Sequence, residues 1–119
     1  MVRRLFVLLA VVTSAVAVAG AGSAATHKLS GVAGPGFTIT VKSGGKLVKT
    51  LKAGTYTVVV ADKSSSHNFH LFGPGVNKMT TVPFTGTQTW TVKLKPGKYT
   101  YQCDIHASIG MKGSFKVTS

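Results

Sequence analysis

LKPGKYTYQCDIHASIGM, Leu94 to Met111, decides the fold of this chain and holds its only cysteine. A Pro96-Gly97 turn launches a run in which Tyr99, Tyr101 and Cys103 fall on one face of a strand. Thr100 and Gln102 fall on the other, because side chains alternate along extended backbone. Cys103 therefore points with the aromatics, toward a core. His106 follows Cys103 by three positions and Met111 follows His106 by five. One short segment beyond a strand end thus delivers a thiol, an imidazole and a thioether.

Working outward, LKAGTYTV (51–58) is a near copy of LKPGKYTY (94–101). The repeat predicts two equivalent hairpins, each launching a Tyr-Thr strand, with SSSHNFH and YQCDIH placed beyond those strands at one end of the fold. On 67–72, His67, Phe69 and Leu71 share one face and Asn68, His70 and Phe72 the other. Phe37–Val41, Trp90–Leu94 and Phe115–Val117 alternate as half-buried strands do, and Tyr56–Val60 is β-branched and aromatic enough for a central strand. Gly34-Pro35-Gly36, Ser43-Gly44-Gly45, Gly73-Pro74-Gly75 and Pro96-Gly97 punctuate them. Short alternating runs between such turns predict an all-β Greek-key sandwich or barrel of seven to eight strands.

The N-terminus reads as an address. Arg3 and Arg4 precede an apolar, alanine-rich run from Leu5 to Gly22, which predicts a signal peptide over 1–25 with cleavage after Ala24 or Ala25. Retention of that run as a membrane anchor is the lesser reading, given its Ala, Gly, Ser and Thr content. No cysteine lies near the cleavage region to carry a lipid, and the paired arginines weakly suggest twin-arginine export. The expectation is an exported protein of the periplasm, cell envelope or medium, with one small domain over 26–119, most simply a monomer. The formal charge is +12, and about +10 once Arg3 and Arg4 are set aside. Such a charge suits an acidic protein surface or an anionic envelope. It equally suits lysines that keep a β protein soluble and its edges unpaired. The lysines are dispersed rather than clustered with aromatics, which argues against nucleic acid as a partner.

An odd cysteine in an exported chain signals intermolecular pairing, a reactive thiol or a metal ligand. Its inward phase argues against pairing. A nucleophile needs a base and an oxyanion hole in a substrate cleft, and would leave Met111 without a role. A metal uses the whole segment. Thiolate, imidazole and thioether form a soft set that favours copper over magnesium, calcium or manganese, and structural zinc usually takes four cysteine and histidine ligands, whereas no second cysteine exists here. The best candidate for a second imidazole is His67, in phase with the core. His70 reads as structural or as a neighbour of the site, and Met79 as surface or packing. Were cleavage to follow Ala24, the terminal amine, two amides and His27 would form a separate square-planar Cu(II) set.

The His67-Asn68 pair, LKPGKYTYQC, Cys103-x2-His106-x4-Met111 and the closing GSFKV together resemble the cupredoxins, specifically the small plastocyanin/azurin-type blue copper proteins. The resemblance covers most of 36–118 and implies a Greek-key sandwich carrying one type 1 copper ion that shuttles single electrons. It implies His67, Cys103 and His106 as strong ligands, Met111 as a weak axial one, and Asn68 as the asparagine that hydrogen-bonds across the two ligand segments. Two positions depart from the family loop. Ile105 stands where proline is common and offers an N–H toward the thiolate, and Asp104 replaces a small or hydroxyl residue. The family pattern also implies electron exit through an apolar patch around His106, here expected from Ile105, Ala107, Ile109 and Gly110 and extended by Phe72 and Gly73-Pro74. Lysines at its rim would steer an acidic redox partner. Storage or delivery of copper through the same ligands is the competing function. An enzyme is not expected, since multicopper sites place histidines on both sides of the cysteine, where this chain has Gln102 and Asp104.

Overall fold

A computed structural model describes residues 27–119; the expected signal peptide and cleavage site lie outside the described residues. Ten strands follow in order: β1 (His27–Ala33), β2 (Ile39–Ser43), β3 (Lys46–Leu47), β4 (Thr50–Lys52), β5 (Gly54–Asp62), β6 (His70–Gly73), β7 (Val76–Met79), β8 (Gly86–Leu94), β9 (Gly97–Gln102) and β10 (Lys112–Thr118). One sheet has the order β3-β2-β1-β5-β8 and the other β4-β10-β9-β6-β7. This is the all-β sandwich expected from the alternation. The strand count exceeds seven to eight because β3 and β4, two and three residues long, are too short to show a period.

The core lies between the sheets and comes from the phases visible in the sequence. Val58 and Val60 of β5, and Trp90, Val92 and Leu94 of β8, face Leu71, Tyr99, Tyr101, Phe115 and Val117 of the other sheet. Tyr99 stacks on Phe115 and Phe69 on Tyr101, with ring centroids 5.5 and 6.2 Å apart. Each such side chain removed from water contributes about 1.5–3 kcal/mol, before the cost of ordering it.

The near-copies at 51–58 and 94–101 are equivalent, but they are not hairpins. β4 and β5 belong to different sheets, and so do β8 and β9, so each copy is a corner where the chain changes sheet. The tyrosines explain the shared motif. Tyr56 Oη donates to the Lys52 carbonyl four residues upstream at 2.7 Å. Tyr99 Oη accepts from the Lys95 N–H, again four residues upstream, at 2.9 Å and donates to the Pro74 carbonyl at 2.7 Å. These are tyrosine corners, in which the phenol ties the bend to the strand that leaves it. Both departing strands, β5 and β9, end at the same pole.

Two local expectations fail. Residues 37–38 lie outside β2, because the chain turns through Gly34 and Gly36 at positive φ and leaves Phe37 64% exposed. Residues 67–69 precede β6 and do not alternate: Asn68 is buried beside His67 and Phe69.

Candidate metal centre

β5 ends at Asp62, and the loop leading to His67 is held at both ends by one buried polar cluster. Asp62, 1% exposed, accepts hydrogen bonds from the Ser64 N–H and from Thr80 Oγ1, each at 3.2 Å. The Thr80 hydroxyl oxygen in turn accepts from the Phe69 N–H at 2.8 Å, and the Thr80 N–H donates to the Phe69 carbonyl. Burial holds the Asp62 carboxyl above the usual range, partly countered by these two donors and by the nearby His67.

The second ligand segment closes on itself. The Cys103 N–H donates to the Met111 carbonyl, and the His106 and Met111 N–H groups donate to the carbonyls of Cys103 and His106, at 3.0–3.1 Å. A 3₁₀ turn over Ala107–Ile109 fills the interval, and Gly110 ends it at φ 98°, a conformation that side chains rarely adopt. The loop is therefore short and closed by its own backbone hydrogen bonds.

These two segments bring together His67 (4% exposed), Cys103 (0%) and the half-buried His106. The His67 and His106 Nδ1 atoms lie 3.0 Å apart, and Cys103 Sγ lies 3.8 and 3.5 Å from them. A triangle with these sides has its centre about 2.0 Å from every corner, close to the bonding distance of imidazole nitrogen to a first-row metal ion. Two imidazoles and a thiolate in one trigonal plane fit a single type 1 copper ion. Met111 is 1% exposed, and its backbone joins Cys103 to His106.

Asn68 joins the segments: its Nδ2 donates to Asp104 Oδ2 at 2.9 Å and its Oδ1 accepts the Asp104 N–H at 2.8 Å. Asp104 Oδ1 also receives Gln102 Nε2 at 3.0 Å and His70 Nδ1 at 2.8 Å. Burial works to raise the Asp104 carboxyl, but the donors Gln102, Asn68 and His70 together outweigh it and hold the group below its usual range. His70 stands apart from the ligand triad, in contact with Asp104 and Asn77. Among the described residues the polar neighbours of Sγ are the two imidazole nitrogens, and the Ile105 N–H makes no hydrogen bond to it. Met79 is 48% exposed, as a surface position. The His27 ring lies tilted beside Tyr56, with centroids 5.7 Å apart, and the other residues of a terminal chelate lie outside the described residues.

Phe37 is the neighbour that sequence reasoning missed. Its ring meets the His106 imidazole edge-on at 4.9 Å and the His67 imidazole at 5.7 Å. The signal for it was an aromatic directly after Gly34-Pro35-Gly36, where a turn presents a side chain instead of burying it. Phe37, Ile105 (54%) and Ile109 (67%) are the exposed apolar groups at this pole. Gly73-Pro74 does not extend them. Pro74 packs on Gly97 at the start of β9, about 20 Å of strand away from Cys103.

No protein-family model and no curated protein matches the sequence. Among solved structures, rusticyanin from Thiobacillus ferrooxidans is 26% identical, with 78% of this chain and 77% of that chain covered and a TM-score of 0.55. Reduced rusticyanin superposes with a TM-score of 0.58 at 24% identity, over 78% of this chain and 79% of that one. Another rusticyanin structure is described as that of a copper protein. A multi-copper oxidase from Pediococcus acidilactici, 16% identical, shares the fold with a TM-score of 0.53, over 82% of this chain and 27% of the oxidase.

Proposed function

We propose that the chain, which has the fold of rusticyanin and a His67, Cys103 and His106 triad, is a cupredoxin that works as a one-electron carrier outside the cytoplasm. The observation that carries this reading is the triangle of two Nδ1 atoms and one Sγ around a point about 2.0 Å from each. Copper bound there supplies a one-electron Cu(II)/Cu(I) couple. The chain's own residues do the rest. His67 and Cys103 are buried, so water is kept from two of the three ligands. The closed Cys103–Met111 loop and the pinned His67 loop fix the ligand positions in advance, and electron transfer is fast where little has to rearrange. Met111, buried on the same closed loop, would supply a thioether to the ion. The half-exposed His106, between Phe37, Ile105 and Ile109, is the port through which the electron passes to a partner.

Burial of the thiolate and of His67 favours retention of copper over its delivery, since an exchangeable site needs ligands that an acceptor can reach. Gln102 and Asp104, flanking the cysteine, leave no histidines there to bridge further coppers, in keeping with a carrier and not an oxidase. The basic leader and alanine-rich run of residues 1–25 support export.

Titration of the copper-free protein with Cu(II) tests the site. One equivalent is expected to produce an intense visible thiolate-to-copper band that bleaches on reduction and is absent in Cys103→Ser. A folded protein that takes up no copper, or binds it without that band, would end the proposal.

A further inference from the structure

The chain has two side-chain carboxylates among the described residues, and one of them, Asp104, directly follows the thiolate ligand. Twelve lysines are available to pair with it, all of them exposed. The only ion-pair contact among the described residues is instead made by His70, whose Nδ1 lies 2.8 Å from Asp104 Oδ1. A carboxylate oxygen accepts only, so the imidazole donates at this nitrogen. The other ring nitrogen meets Asn77 Oδ1 at 2.6 Å, and the ring rests on Phe72 with centroids 4.8 Å apart. The His70 side chain is 16% exposed against 38% for Asp104. It is thus held from both ends and from one face, on a strand that does not carry the copper ligands.

On the copper reading above, we propose that His70 is a positioning residue for the metal centre: it holds the Asp104 carboxylate in place, offsets its charge beside Cys103, and so raises the reduction potential. A negative charge near the ion favours the more positive oxidation state, and a hydrogen-bond donor fixed on that charge weakens its field. Position matters as well as charge. Asp104 is also the residue that Asn68 grips through both its side chain and its backbone N–H. Loss of His70 therefore loosens one side of a bridge whose other side fixes the turn between Cys103 and His106. His70, through Asn77 and the β6–β7 hairpin, extends that bridge from the ligand loops to the edge of the sheet.

The test is a double-mutant cycle of His70→Phe and Asp104→Asn, read as the midpoint potential of the copper-loaded proteins. In the Asp104 background, His70→Phe is expected to lower the Cu(I)/Cu(II) ratio at a fixed applied potential roughly three- to tenfold, where tenfold equals about 59 mV for one electron. In the Asp104→Asn background the same change should shift the ratio less than half as much. His70→Gln retains a neutral donor and should fall between His70 and Phe; if His70→Phe does not fold, this variant carries the comparison. In the copper-free proteins the thermal midpoints of the same four chains should be non-additive, as for residues in one network. Equal potential shifts in the two backgrounds, or additive copper-free midpoints, would overturn the proposal. A wild-type protein without the visible band would count against the carrier function, and the copper-free cycle would still decide the role of His70.

Discussion

Phe37 is 64% exposed, yet its ring lies against both imidazoles that face the copper position. An exposed side chain contributes little to folding, so Phe37→Ala should leave the stability of the copper-free protein within about 0.5 kcal/mol. The same change opens the imidazole edges to water. Loss of copper to a strong chelator should therefore accelerate severalfold, measured from decay of the visible band. An unchanged rate would show that the ring covers nothing of consequence. Asn68 illustrates the opposite case. Strand alternation would have turned it outward, but both ends of its amide are satisfied by Asp104, and a polar group so paired is tolerated in the interior.

At the scale of the elements, the two tyrosine corners do different amounts of bonding for the same motif. Tyr99 Oη both accepts and donates, and its ring is fully buried, whereas Tyr56 Oη makes a single hydrogen bond. Tyr99→Phe should cost about 1–3 kcal/mol, since it strands a backbone donor and a carbonyl, and Tyr56→Phe about 1 kcal/mol. Urea unfolding of the copper-free protein measures both. Equal losses would mean that the corner at Pro74 gains nothing from its second bond. The resemblance of 51–58 to 94–101 was legible in the sequence, and so was its consequence, that both ligand segments emerge at one pole. The sheet change at each corner was not, because a tight turn of the same residues serves a hairpin or a corner until the partner strands are known.

The whole molecule is strongly basic, with all twelve lysines exposed and none of them in an ion pair among the described residues. A field of that sign draws anions and repels cations, and is screened over about 10 Å at 0.1 M salt. Reduced protein should thus be oxidised faster by ferricyanide than by a cationic cobalt(III) complex of similar driving force. The two rate constants should converge as salt is raised, as stopped-flow measurements would show. Rates insensitive to salt would place the lysines away from the port, as plain solubilising groups. With the same reasoning, we propose an acidic surface on the physiological redox partner.

The sequence by itself determined the sandwich, the inward phase of Cys103 and the identity of the soft donor set. Each of these is local: a period of two, a turn signal, or a spacing within one loop. Tertiary structure alone decided three other matters. It set the metal-sized gap between His67 and the Cys103 loop, which are 36 residues apart in the chain. It brought Phe37 over the imidazoles, and it paired Asp104 with His70. All three depend on how two sheets pack at one end, where contacts are made by side chains whose strands are remote in sequence, and no local pattern records such distances.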